Sequence, residues 1–341
     1  PNDVFAVTMA SAPNAVNDLG RMKLLVWNLP GENVPINTKP AITGTSGVKS
    51  IKLSPTEFKV AREGYDVDTA TADELVFAAE KRPAKILATG EVTITGSGGT
   101  FIRECNIPLN NSIVVEHALF ATDSAAHFPA YPLAGADWYM TYEAIGSTVK
   151  FTNNTPQDLK MRYMIIAHDD QPPTDGTNKV FRKFNDGSQD VIQILRPGAD
   201  DPPNLADIVI DSRWPSVPIL KEGYFDVTVG YDNFLSTTIT YSNPDGLLVF
   251  VKFAVIRQIG TDDAYFSTAP YIRKVNRGTP VNDQGGDSTY CYQTGTTQIT
   301  FHTFRGTVIN AYDSGYGSPV TYEYDPNPVV GIRYYIFGVP T

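Results

Sequence analysis

The sequence predicts an all-β protein made of two related antiparallel β-sandwich units that follow a loop-rich N-terminal arm. The first observation is composition, because 18 Tyr and 17 Phe accompany 25 Pro and 27 Gly. Aromatic residues favour strands, and Pro and Gly interrupt helices and supply turns. The second observation is a series of alternating apolar runs about ten residues apart, a spacing typical of sandwiches. The third is a pair of short sequences that occurs once in each half.

The bulk composition limits the classes of function. A chain of 341 residues is long enough for two domains, and its 42% hydrophobic content predicts that most of it folds. The net charge of −10 disfavours nucleic-acid binding, because a surface of that sign repels phosphate backbones. No apolar stretch approaches the ~18 residues of a membrane helix, so we expect no membrane insertion.

The N-terminal half consists of a predicted arm and the predicted first unit. Residues 1–55 include the Pro- and Gly-rich stretch "NLPGENVPINTKPAITGTSG", which predicts an extended arm that wraps a neighbouring chain. Residues 56–170 form the predicted first sandwich unit. Its clearest strands are "NSIVVEHAL", the hairpin "DWYMTYEAIGSTVKFTNN" with its turn at Ile145-Gly146-Ser147, and "LKMRYMIIA".

The remaining chain divides at polar, Pro-rich sequence. "HDDQPPTDGTNK", residues 168–179, is the predicted boundary, and residues 171–220 are interpreted as a linker with short strands. Residues 221–341 form the predicted second sandwich unit. Its strands include "GLLVFVKFAVIRQI", "TTQITFHTF" and "GIRYYIFGV".

An internal repeat relates the two units. "REGYDV" and "KEGYFDV" open them with Gly64-Tyr65 and Gly223-Tyr224. "LKMRYMIIA" and "VGIRYYIFG" close them, which aligns Arg162-Tyr163 with Arg333-Tyr334 at comparable spacing. Two anchors in the same order indicate a duplication.

The closing strand of the first unit is apolar on both faces. Met161, Tyr163 and Ile165 fall on one face, and the other face is also largely apolar. This pattern predicts a central strand. Arg162 lies in its middle, so we expect a nearby Glu or Asp to pair with it.

One segment resembles a known family. "FKVAREGYDVDTATADELVFAAEKRPAKI", residues 58–86, is similar to a β-sandwich module of tailed-bacteriophage structural proteins. The matching positions are Gly64, Tyr65, Asp66, Val67, Thr69, Ala70, Thr71, Asp73, Leu75 and Phe77. "VEHAL" and the closing "GIRYYIFGVPT" resemble two further segments of such proteins. The resemblance implies a virion component of the tail, neck, collar or fibre, assembled in the bacterial cytoplasm with other virion proteins.

A search for chemistry gives no catalytic, cofactor or metal residues to predict. None of His117, His127, His168 and His302 lies in a metal or protease pattern. "NDGSQD" and "NDQGGDS" offer oxygen ligands near glycines, but ordinary turns are the favoured interpretation over calcium sites. Cys105 and Cys291 are too few for a disulfide scaffold, so free thiols are favoured over a deliberate bridge.

Aromatic residues in predicted loops leave two functions open. They suit a core and subunit interface, or a face that stacks on sugars. They are Phe128, Tyr131, Trp138, Trp214, Tyr271, Tyr312 and Tyr316.

The sequence therefore predicts a non-enzymatic structural virion protein that forms a homo-oligomer. The alternative is a receptor- or glycan-binding module at a fibre tip or neck whisker, with a host-surface glycan as partner. A polysaccharide-degrading enzyme is disfavoured, because no pair of acidic residues is identifiable.

Overall fold

A computed structural model provides the structure of the chain, and every regular element that it describes is a β-strand. The described residues are 48–54, 57–61, 64–70, 75–78, 85–109, 113–128, 140–167, 180–196, 198–230, 234–259, 262–267, 273–276, 282–285, 289–305, 307–310, 321–323 and 328–340. The strands form several small antiparallel sheets, which confirms the predicted all-β fold. Residues 1–47 of the predicted N-terminal arm and the boundary at 168–179 lie outside the described residues. The end of the predicted arm contains a strand at Ile51–Ser54 that pairs with Glu57–Ala61.

The described residues contain twenty-four strands. The first twelve are β1 (Ile51–Ser54), β2 (Glu57–Ala61), β3 (Leu75–Ala78), β4 (Lys85–Ile94), β5 (Gly99–Glu104), β6 (Ile113–Ala121), β7 (His127–Phe128), β8 (Met140–Ile145), β9 (Thr148–Asn153), β10 (Leu159–Ala167), β11 (Phe181–Asn185) and β12 (Asp190–Leu195). The others are β13 (Ile208–Asp211), β14 (Ile219–Asp226), β15 (Phe234–Thr240), β16 (Leu248–Ile259), β17 (Asp262–Ser267), β18 (Arg273–Asn276), β19 (Asn282–Gly285), β20 (Thr289–Gly295), β21 (Gln298–Phe304), β22 (Thr307–Asn310), β23 (Thr321–Glu323) and β24 (Val329–Val339).

Two three-stranded sheets make the first block, which we define as the chain segment from β4 to β10 and which also includes the short strand β7. One sheet has the order β4-β10-β6 and the other β5-β9-β8. Their buried side chains share one hydrophobic core. Within it the rings of Phe151 and Tyr163 lie 5.4 Å apart between centroids, with 42° between their planes.

The second block repeats this arrangement with β14, β15, β16, β20, β21 and β24. Its sheets run β14-β24-β16-β17 and β15-β21-β20-β7. Phe301 and Tyr334 meet at 5.6 Å between centroids and 46° between planes. Strand order in the chain, position in the sheets and the central aromatic pair therefore all match between the two blocks.

The opening pair of the predicted repeat is corrected by the structure. Gly64 lies in a turn with a φ of +86°, whereas Gly223 lies inside β14 opposite Tyr334. The residue opposite Tyr163 is Gly90 of β4, so Gly90 is the counterpart of Gly223. The two Gly-Tyr sequences are alike in letters but occupy different local structures.

The predicted linker region contains a folded sheet. β11, β12 and β13 pair in that order between residues 181 and 211. Leu195 and Ile208 from this sheet are buried in the core of the first block. The β11-β12-β13 sheet therefore packs on the first block.

The β4-β10-β6 sheet is buried on both faces. Met161, Tyr163 and Ile165 of β10 belong to the core of the first block. Met164, on the opposite face, belongs to the core of the second block. β10 is hydrogen-bonded on both sides, as the apolar pattern of both faces predicted.

Candidate functional site

The two blocks are joined by a buried arginine. Arg162 is only 5% exposed. Its Nε and Nη2 donate to Oε2 of Glu91 at 2.9 and 2.7 Å within the first block. Its Nη1 donates to the carbonyl of Val249 and, at 3.2 Å, to Oε1 of Gln293, both in the second block. One guanidinium therefore satisfies acceptors of both blocks at once.

Strand register places this arginine and its carboxylate together. Arg162 faces Glu91 directly across the β10–β4 pair, and Tyr163 faces Gly90. A Cβ at Gly90 would lie 2.9 Å from the Tyr163 hydroxyl oxygen, so the absent side chain leaves room for the ring. The sequence search missed Glu91 and Gly90, although the run "ATGEVTI" contains them side by side.

A strand of the first block also extends a sheet of the second. β7 follows β6 in the chain but pairs with β20, with Phe128 opposite Cys291. The backbone amide of Gln293 donates to the backbone carbonyl of Ala126 at 3.0 Å. The Phe128 ring meets Phe250 at 5.3 Å between centroids. The free edge of β20 is thus closed by sequence from the preceding block.

Polar contacts extend the junction on either side. Lys252 of β16 forms an ion pair with Glu116 of β6. The Thr89 hydroxyl donates to the carbonyl of Pro340 at 2.7 Å. The junction therefore spans all three strands of the β4-β10-β6 sheet.

The counterpart of Arg162 in the second block has different surroundings. Arg333 is 8% exposed and faces Tyr224 across the β24–β14 pair. Its Nη2 donates to the Tyr335 hydroxyl at 3.4 Å, and its guanidinium lies 5.5 Å from that ring's centroid. Among the described residues no carboxylate forms a salt bridge with it. The arginine is repeated, but its ion pair is not.

Two further polar side chains, Tyr224 and Glu222, lie on β14 beside Arg333. The Tyr224 hydroxyl donates to Oδ1 of Asp226 at 2.7 Å. Its pKa is raised, first by burial and then by this carboxylate. Oε2 of Glu222, on the same strand, is buried and has no hydrogen-bond partner among the described residues. Of the predicted motif residues in the second block, Tyr224 thus contributes a hydrogen bond to the exposed Asp226.

The first Gly-Tyr sequence begins in a turn. The Asp66 carbonyl accepts from the Thr69 and Ala70 amides at 3.1 and 2.8 Å. Val67 is buried. These contacts give residues 64–70 a local structural role between β2 and β3.

Both cysteines are buried free thiols. Cys105 lies in the core of the first block and Cys291 in that of the second. Burial, with Glu104 adding to it, raises the pKa of Cys105 to about 12, and burial alone raises the pKa of Cys291.

We expect neither thiol to react with a disulfide reagent at pH 8 in the folded protein, because only thiolates attack and both groups stay protonated. Unfolding in guanidinium should release two equivalents per chain. A titration with Ellman's reagent, before and after denaturation, measures this. Prompt reaction of a thiol in the native protein would contradict the buried, protonated state.

An aromatic stack covers part of the outer face of β20 and β21. His302 lies 5.1 Å from Tyr290 and 5.2 Å from Tyr292 between ring centroids, with interplanar angles of 20° and 7°. The Tyr292 hydroxyl is 3.1 Å from Nε2 of His302. Burial lowers the pKa of His302, which favours the neutral ring at pH 7.

The remaining candidates from the sequence are histidines, possible metal ligands and aromatic residues in predicted loops. His117 is exposed, and His168 and the side chain of His127 are outside the described part. Within the ranges that the structure describes, no group of three metal-ligating residues occurs. Phe128 is buried in the core of the second block, whereas Trp214 packs against the core of the first block. The other aromatic candidates, Tyr131, Trp138, Tyr271, Tyr312 and Tyr316, are not among the described residues.

Two further findings concern membrane spans and similarity to known proteins. Where the structure describes the chain, it contains no helix of the length and apolarity needed to cross a membrane. Comparisons of the chain with protein-family models, curated proteins and solved structures give no match.

Proposed function

We propose that this chain is a non-enzymatic structural component of a tailed-phage virion that mediates subunit assembly on the tail, neck or fibre apparatus. The observation behind the proposal is the junction of two like sandwiches through Arg162 and β7. Such a junction suits a protein that holds neighbouring molecules in fixed positions. The resemblance of residues 58–86 to phage structural modules supports the particular setting.

The proposal is tested on phage particles. A nonsense mutation in the gene should give particles that lack one feature of the tail, neck or fibres in negative-stain electron microscopy. Supplying the wild-type chain in trans should restore it. Particles that are complete, infectious and free of this chain by mass spectrometry would contradict the virion role.

Receptor or glycan binding is a second candidate, supported by the outer face of β20 and β21. Parallel rings bind the apolar faces of sugars, and Tyr290, Tyr292 and His302 are parallel and partly exposed. Hydroxyl groups lie on the same sheet. Oγ1 of Thr300 in β21 is 3.1 Å from Oγ1 of Thr238 in β15 and 3.1 Å from Oγ1 of Thr294 in β20. Rings beside hydroxyls match the two kinds of surface on a sugar.

The glycan prediction is that Tyr292→Ala loses binding on an array of bacterial surface glycans. Tyr292 is chosen because its ring and hydroxyl both contact His302. Phe181→Ala is the matched control, since Phe181 is an exposed aromatic on a different sheet. We expect a loss of at least tenfold for Tyr292→Ala alone. An array without binding by the wild-type chain would remove this candidate.

A further inference from the structure

The junction between the blocks is one-directional. The first block gives β7 and Arg162 to the second, and the second closes its β20 edge with that strand. Contacts of this kind between like units are head-to-tail, and they leave one unfilled surface at each end of the pair. The first block should therefore have an open position where the second block has β7.

That position is the outer edge of β8. β8 and β20 are equivalent, because each pairs with the strand bearing the central phenylalanine: Tyr142 faces Phe151, and Cys291 faces Phe301. β8 pairs with β9 on one side, and no described strand lies on its other side. Tyr142 is 40% exposed, whereas Cys291 is 0% exposed.

Hairpin geometry identifies the groups along this edge. Gly146 has a φ of +61° in the two-residue loop between β8 and β9, which favours a tight turn closed by Ile145 and Thr148. Backbone groups alternate sides along an antiparallel strand. The amides of Tyr142 and Ala144 therefore point away from β9. Ala144 corresponds in register to Gln293, whose amide donates to Ala126 at 3.0 Å.

We propose that the β8 edge binds an extended segment of a second copy of this chain, as an added antiparallel strand. The segment that closes β20 belongs to the preceding block. In the proposed contact, the second block of another copy takes the place of the block that would precede the first block. Unpaired edges readily accept such strands. The result is a head-to-tail contact that closes into a ring or continues as a filament.

The proposal deepens the proposed assembly function by naming its partner, yet its test needs only the purified chain. A failure here would leave the virion experiment unaffected. Sedimentation velocity of the wild-type chain at increasing concentration should show association. Tyr142→Pro removes an outward amide while keeping the bonds to β9, so we expect at least a tenfold weaker association.

Ile102→Pro is the matched control. Ile102 is an exposed residue of β5, the opposite edge of the same sheet, and its amide also points outward by the pairing of β5 with β9. It should leave association unchanged. Equal behaviour of the two proline variants, or a wild-type chain that stays monomeric, would overturn the proposal.

Hydrogen exchange tests the edge in the wild-type chain, even if a proline variant does not fold. Exchange in peptides covering β8 should slow at least tenfold as the chain associates, while exchange at the outer edge of β5 stays constant. Protection of β8 that is the same at all concentrations would mean pairing within one chain. Rapid exchange at all concentrations would mean an open edge. Either result would overturn the second-copy proposal.

Discussion

Arg162→Met should destabilise the folded chain by about 3 kcal/mol, the low end of the range for breaking a buried ion pair. The substitution keeps an apolar stem but removes the charge, so Glu91, Gln293 and the Val249 carbonyl lose their common donor. The Glu91 side chain is 23% exposed, so water can partly replace the guanidinium. Urea unfolding followed by circular dichroism measures the loss.

Arg333→Met is the matched control in the second block. Arg333 is buried to a similar degree but has no salt bridge among the described residues. Replacing a buried charge that lacks a carboxylate by an apolar chain of similar length is expected to be neutral or stabilising. Equal losses for Arg162→Met and Arg333→Met would show that stem packing, not the ion pair, dominates at both sites.

A second substitution isolates the charge at Glu91. Glu91→Gln in the Arg162→Met background removes the unpaired carboxylate, so the double variant should be more stable than Arg162→Met alone. The coupling between the two sites is measured by the four-variant cycle. A coupling near zero would mean that the two side chains contribute independently, contrary to the bond geometry.

The sequence predicted the features of the fold that follow from periodicity. The hairpin turn was predicted at Ile145-Gly146-Ser147, and the structure has Gly146 and Ser147 in the loop between β8 and β9. β10 was predicted as a central strand because both of its faces are apolar. An acidic partner for Arg162 was also predictable, since a charge buried inside a sheet needs an ion-pair partner.

The details of the repeat required the strand register. Gly64 and Gly223 precede tyrosines in similar sequences, but only Gly223 lies opposite a tyrosine of a central strand. Gly90 has that position in the first block and is followed by Glu91 instead of a tyrosine. The local sequence does not show which residue lies opposite in the neighbouring strand, because paired strands join residues far apart in the chain. The same limit hid β7, a strand of two residues.

Gly223→Ala should cost up to about 3 kcal/mol, a value at the upper end for overpacking. A Cβ at this position would lie 2.5 Å from the Tyr334 hydroxyl oxygen and 2.8 Å from the ring carbon that bears it. Tyr334 is buried between Phe225 and Phe301, so the ring has little room to move away. Gly295→Ala is the matched control in the same block, because its Cβ would meet nothing closer than 3.9 Å. That substitution should change the free energy of unfolding by less than about 1 kcal/mol.

Tyr334→Phe tests whether the close approach causes the loss. Removing the hydroxyl eliminates the nearest atom but leaves the ring carbon at 2.8 Å from the new Cβ, so the double variant should regain part of the stability, not all of it. Thermal and urea unfolding of the four variants in the cycle give the coupling energy directly. If Tyr334→Phe restores nothing, the cost of Gly223→Ala arises in the backbone of β14. The tyrosine-over-glycine packing that the two blocks share would then not explain why a glycine faces the central tyrosine in both.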